Sequence, residues 1–310
     1  MWRETTSARL FDLTAQASAS LQIETPGAQA ATILFGAADL APAVRAAPVR
    51  YVCDPSFSEL CYGIIDDVRL LGRSADLVRV GAPRIWVEWR DEAAARSIGA
   101  LVTANENGRS GSVEFCWSSH EAGEGVDVSP VVAEFDFGDR QFGLKAAADI
   151  VDLELDRNDP ARSLLRHVRF RIRRDWLRYY VWRSKAQTLR PLLREAAGMV
   201  APDFVYVCAA MLVLIADGPV AQRIVGVGGK TRLGGPGFEL PDHIELSAVW
   251  GAERGNAARQ GEPGAGKRRL HSVRGHFVRW RDRLYWRRPH FRGDATIGAI
   301  KSRTVMLKGR

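Results

Sequence analysis

A chain of 310 residues with 46% hydrophobic and 26% charged side chains has a globular composition, which excludes a disordered or fibrous protein. Its length suits one large domain or two small ones, and four cysteines are too few for a disulfide-built secreted scaffold. The net charge of +8 is unevenly laid out: 14 basic against 24 acidic side chains in residues 1–158, 11 against 3 in 159–198, 5 against 7 in 199–266, and 14 against 2 in 267–310. Such asymmetry points to an anionic partner for the basic segments, most simply a phosphate backbone, unless the acidic N-terminal part packs against them and cancels them. Arginine outnumbers lysine 38 to 6, which suits two-pronged phosphate binding, although a GC-rich gene gives the same bias.

In chain order, residues 1–12 lack the apolar core of a leader peptide. Residues 31–35, 84–89, 99–104, 112–117 and 131–137 are short runs rich in Val, Ile, Phe and Trp, separated by Gly, Asn and Asp, and predict strands. Phe57, Leu60, Ile64 and Val68 recur at helical spacing and predict a helix over 56–71. The middle reads as helical from Pro160 onward, with Leu164, Val168, Ile172 and Trp176 at spacings of three to four. Further helices are predicted over 191–198 and 204–216. The last of these is apolar on nearly every side and short for a bilayer, so it predicts a helix buried in the protein. Residues 226–237 and 256–266 are glycine-rich loops flanking a strand-like run at 243–250. The fold class expected is α+β: an acidic β-rich layer over 1–158, a helical region over 159–218, and a loop-rich region over 219–310 ending in a basic β-hairpin. All three are compatible with one domain.

The most informative segment is RRLHSVRGHFVRWRDRLYWRRPHFRG, residues 268–293. Two β-like runs, 270–280 and 284–292, flank Arg281-Asp282-Arg283. A three-residue connection keeps each face chemically uniform and pairs Trp280 with Leu284, Val278 with Trp286, His276 with Arg288, Arg274 with His290, and Ser272 with Arg292. That register gathers His276, His290, Arg274, Arg288 and Arg292 on one face. Paired histidines can share general acid and base work, and arginines can hold phosphate and stabilise developing charge.

HSVRGHF at 271–277, YW at 285–286 and PHFRG at 289–293, followed by GAIK at 298–301, resemble the C-terminal signature of a family of uncharacterised phage and prophage proteins. PRIWVEW at 83–89 and LVLIADGP at 212–219 are similar to further strings of that family. The family has a longer insertion between its two C-terminal elements than this chain has. The resemblance implies a phage context, hence the cytoplasm of a host cell, and no mechanism.

Other motifs carry less. Cys116 and His120 have metal-ligand spacing, and Cys53 and Cys61 are candidates to complete a zinc site, but no C-x-x-C pair exists and buried free thiols are the better account. VGVGGKT at 225–231 lacks the first glycine of a P-loop, leaving Lys230 and Arg232 as phosphate contacts in a loop. RHVRFRIRR at 166–174 interleaves arginine with apolar residues and predicts pairing with acids of the N-terminal layer. Trp176, Tyr179, Tyr180 and Trp182 are core aromatics or stacking platforms.

Three functions follow. The first is a nucleic-acid-binding protein, for RNA or DNA, that contacts phosphates through Arg274, Arg279, Arg288, Arg292, His271 and Lys301. The second is a metal-independent ribonuclease using His276 and His290 with Arg274. The third is a virion or host-takeover component whose basic patch meets an acidic protein. The sequence calls for no cofactor, no metal and no membrane.

Overall fold

The structure, a computed structural model, describes residues 40, 42–44, 46–91, 96–119, 127–138, 150–151, 161–173, 189–216, 220–225, 243–249, 269–273, 275–287, 290–292 and 294–299. It is an α+β fold. Nine strands form one mixed sheet: β1 (Val49–Cys53), β2 (Arg84–Asp91), β3 (Arg96–Ala104), β4 (Ser110–Ser119), β5 (Asp127–Asp136), β6 (Ile150–Val151), β7 (Val168–Ile172), β8 (Val220–Val225) and β9 (His243–Ala248). Their spatial order is β6-β7-β5-β4-β3-β2-β1-β9-β8. Strands β2 to β5 form an antiparallel meander, while β1 runs parallel to both β2 and β9. A parallel neighbour needs a crossover, and α1 (Pro55–Asp66) and α2 (Val68–Ser74) supply it between β1 and β2.

Alternation along the meander builds two apolar faces. Ile85, Val87, Trp89, Ile98, Ala100 and Phe115 face the helices, whereas Trp86, Leu101, Cys116 and Val128 pack on the other side with Leu40, Val44 and Ala47. The helix expected over 56–71 is broken in two at Asp67. Asp54 caps α1, its carboxylate accepting from the Phe57 N–H at 2.8 Å, and Asp67 caps α2 by accepting from Leu70 at 3.0 Å. The two helices expected in residues 191–216 are instead one, α4 (Leu189–Ile215), which carries Gly198 and Pro202 in its interior. It is long and apolar enough to cross a membrane, and that hydrophobicity is accounted for by burial against the sheet.

The helical reading of residues 160–182 is corrected where the structure describes it. Only α3 (Arg162–Leu165) is helical, and Val168–Ile172 is the strand β7. Its V-R-F-R-I pattern has a period of two: Phe170 and Ile172 are buried, and the intervening arginines meet acids. Arg169 and Arg171 both pair with Glu134 on β5, at 2.5 and 2.7 Å, and Arg173 pairs with Glu114 on β4 at 2.5 Å. The expected pairing with the N-terminal acids therefore holds on a strand rather than a helix.

Candidate functional site

The C-terminal segment folds as β10 (Arg269–Val273), β11 (His276–Trp280), β12 (Arg283–Arg287), β13 (His290–Arg292) and β14 (Asp294–Ala299). Strand β11 pairs with β12, and β10 lies between β13 and β14. The hairpin is real, but its register is one residue away from the expected one. Trp280 pairs with Arg283, Val278 with Tyr285 and His276 with Arg287, around a two-residue turn of Arg281 and Asp282. Arg281 adopts φ 56°, the left-handed conformation that two-residue turns require. The reason lies in the inner face: this register brings Phe277 opposite Trp286, ring centroids 4.8 Å apart, and buries Phe277 and Leu284 against the helices.

Directly opposite residues share a face, so the outer face carries His276, Val278, Trp280, Arg283, Tyr285 and Arg287. Trp280 is 66% exposed, and His276, Arg283 and Arg287 are exposed beside it. No described carboxylate pairs with Arg283 or Arg287. Arg279 belongs to the inner face. Its two terminal nitrogens donate to the Asp76 carboxylate at 2.6 and 2.9 Å, and its Nε donates to the Arg281 carbonyl at 2.8 Å. It clamps the hairpin to the turn Ala75–Leu77 after α2. Burial works against the Asp76 charge, but the hydrogen bonds and charge of Arg279 outweigh it and hold the carboxyl below its ordinary range. Arg73, Asp76, Arg279 and Arg281 line a cavity of about 520 Å³ between α2 and the hairpin, with three cations to one anion.

Of the other expected site residues, Arg292 is exposed and stands opposite His271, while His290 stands opposite Val273 rather than Arg274. The pairings that set His276 against Arg288 and His290 against Arg274 are not formed. Arg274, Arg288 and Lys301 lie outside the described residues, as do His120, Lys230, Arg232, Trp176, Tyr179, Tyr180, Trp182 and the run at 31–35. All four cysteines are free and buried, and burial pushes each thiol up, away from the thiolate that a metal needs. Cys116 lies on the opposite face of the sheet from Cys53 and Cys61, which separates the residues weighed as zinc ligands.

Sequence reasoning missed the outer-face residues Trp280, Arg283, Tyr285 and Arg287, because its register grouped Trp280 with Val278, Leu284 and Trp286 at the turn end of the histidine–arginine face and put Tyr285 on the other face. It also missed a second constellation. Asp203 is the only charged residue between Glu195 and Asp217, and it sits in the middle of α4 with its side chain 6% exposed. Its carboxylate accepts from Trp117 Nε1 at 2.8 Å and from an Arg96 nitrogen at 3.2 Å. Arg96 also reaches Asp91, 3.6 Å away, and its guanidinium lies over the Trp117 ring. Burial pushes the Asp203 carboxyl up to about 6 despite the Trp117 hydrogen bond and the Arg96 charge, and Asp91 adds to the rise. Asp203, Arg96 and Asp91 open onto a cavity of about 500 Å³ at the carboxyl end of β2. Tyr206 stacks on Trp89 at 4.3 Å, and Tyr62 meets Tyr206 edge-on at 5.7 Å.

No protein-family model, curated protein or solved structure matches this chain.

Proposed function

We propose that this protein binds single-stranded nucleic acid on the outer face of the β11–β12 hairpin. The observation that carries the reading is Trp280, a large ring two-thirds exposed on a rigid strand, with Arg283 opposite and Arg281 beside it. Exposing an indole to water forgoes the favourable burial its area offers, and a base stacked on it restores that burial. Tyr285 lies along the same face, and Arg283, Arg287 and Arg292 supply phosphate contacts. Contacts of this kind to backbone and base faces give little sequence readout. The single strand is favoured over a duplex because stacking needs an unpaired base face.

Anisotropy of labelled 12-nucleotide single-stranded RNA and DNA, titrated at low salt beside a duplex of the same sequence, tests this. Single strands bind more tightly than the duplex, and Trp280→Ala weakens them by about tenfold or more without changing the melting temperature. Equal affinity for duplex and single strand, or an unaltered Trp280→Ala variant, overturns it.

A further inference from the structure

The cavity beside Asp203 is unrelated to the hairpin and has its own chemistry. A carboxylate in the middle of an apolar helix pays a desolvation penalty that a neutral residue avoids. Accepting one hydrogen bond from Trp117 Nε1 needs only an amide oxygen, so Asn in place of Asp203 would do that work without the penalty. The guanidinium that reaches it among the described residues, Arg96, is shared with Asp91 and leaves the Asp203 carboxyl well above its ordinary range. A buried anion so incompletely balanced, opening onto a cavity, asks for a cation.

The walls decide which kind. Tyr62, 42% exposed, supplies the aromatic surface, the stacked Trp89 and Tyr206 being almost fully buried, and Ile65, Ile98 and Leu165 make the rest of the wall aliphatic. Such walls offer too few oxygens for a hard metal ion, which takes six or more, and no group of three metal-ligating side chains occurs among the described residues. Aromatic faces beside a carboxylate do attract an alkylammonium through charge and ring quadrupole together. An anionic ligand would meet Asp203 and Asp91. We propose that this cleft binds a small organic cation, its ammonium group against Asp203 and its hydrocarbon body along the Tyr62 ring. A volume of about 500 Å³ lies within the range of small-molecule sites.

Calorimetric titration of the full chain with four probes of one shape tests the proposal: benzylamine, benzyltrimethylammonium, benzyl alcohol and benzoate. At pH 7.5 both ammonium probes give saturable binding, about tenfold or more tighter than the alcohol and the benzoate. Asp203→Asn removes that preference. Because Asp203→Asn alters a packed helix, a second variant leaves the carboxylate untouched. Gly198 also lines the cavity, and a Cβ built there meets no atom within 4 Å. Gly198→Leu therefore fills space, favours the helix, keeps or raises the melting temperature, and lowers ammonium affinity by about tenfold. Affinity also falls as pH drops through about 6, where Asp203 takes up its proton. Among the described residues the charged groups facing it are Arg96 and Asp91, and the Tyr62 and Tyr206 hydroxyls, pushed up by burial, stay neutral throughout. The proposal is overturned if neither ammonium probe saturates at millimolar concentration. It is equally overturned if benzoate or benzyl alcohol binds as well, or if both variants bind like the parent.

Discussion

At Gly99 the backbone of β3 runs beneath the indole of Trp86, and a Cβ there would lie 2.3 Å from two of its ring carbons and 3.0 Å from the Cys116 sulfur. Trp86 is buried and its Nε1 donates to Glu88 at 3.1 Å, so the ring cannot retreat without losing that bond. Gly99→Ala therefore destabilises by about 2–3 kcal/mol, read by urea unfolding, and the loss shrinks by more than about 1 kcal/mol in a Trp86→Ala background. An undiminished loss in that background would mean that the ring is not the obstacle. Asp203 gives a second residue-scale expectation. Its folded carboxyl titrates at about 6 against an ordinary 3.8, so between those values the folded state binds more proton than the unfolded one. Stability conferred by that proton is complete at the acid end and lost as pH rises through about 6, a fall on the order of 2–3 kcal/mol. Asp203→Asn lacks the fall, so subtracting its stability profile from the parent's isolates it. A flat difference between pH 4 and 7 would refute the assignment.

At the scale of elements, what was legible in the sequence was what repeated cleanly. The strands β2 to β5 announce themselves by runs rich in Val, Ile, Phe and Trp bounded by turn residues, and α1 by its apolar spacing. Strand β7 was misread because Leu164, Val168 and Ile172 also fit a helical period. The alternation V-R-F-R-I prevailed because the β5 edge offers it a hydrogen-bonded ladder and Glu134 offers its arginines a partner. Strand β1 was missed although Pro48 and Asp54-Pro55 bracket it, because its five residues are too few to establish a period. In the hairpin, sorting residues into uniform faces placed Trp280 among apolar neighbours; the protein instead buries Phe277 and Leu284 and leaves Trp280 outside. The Asp203 cleft had one legible sign, a lone acid in an apolar helix, but its partners come from β2, β3, β4 and α1, and no local pattern assembles them. The Arg279–Asp76 clamp likewise joins residues 203 positions apart. Asp76 is half exposed, so the pair is worth about 0.5–1 kcal/mol. Its carboxyl is lowered, so this contribution stands above the ordinary aspartate range and is lost as pH falls through the lowered value. Arg279→Ala should raise hydrogen exchange of the β11 and β12 amides by about two- to fivefold and remove that acid limb. Unchanged exchange would show that Phe277 and Leu284 hold the hairpin by themselves.

Across the whole molecule, the sheet draws strands from all three stretches that charge and composition distinguish: β1 to β6 from the acidic part, β7 from the first basic part, β8 and β9 from beyond α4. This interleaving answers part of the charge question. The arginines of β7 lie against Glu134 and Glu114, so their charge is met within the fold, whereas Arg283, Arg287 and Arg292 project from strands outside the large sheet and meet no described carboxylate. The two groups should therefore behave differently towards a polyanion. Each phosphate contact to a single strand releases counterions worth about 0.7 in the slope of log affinity against log salt, so three contacts give a slope near about −2. Replacing any one of Arg283, Arg287 or Arg292 by Ala should make the slope shallower by about 0.7. Arg169→Ala, which removes a cation already paired with Glu134, should leave the slope alone. Trp280→Ala should lower affinity equally at every salt concentration, because stacking displaces no counterion. If the slope responds to Arg169 as much as to Arg283, the attraction comes from net charge at large and the hairpin is not the interface.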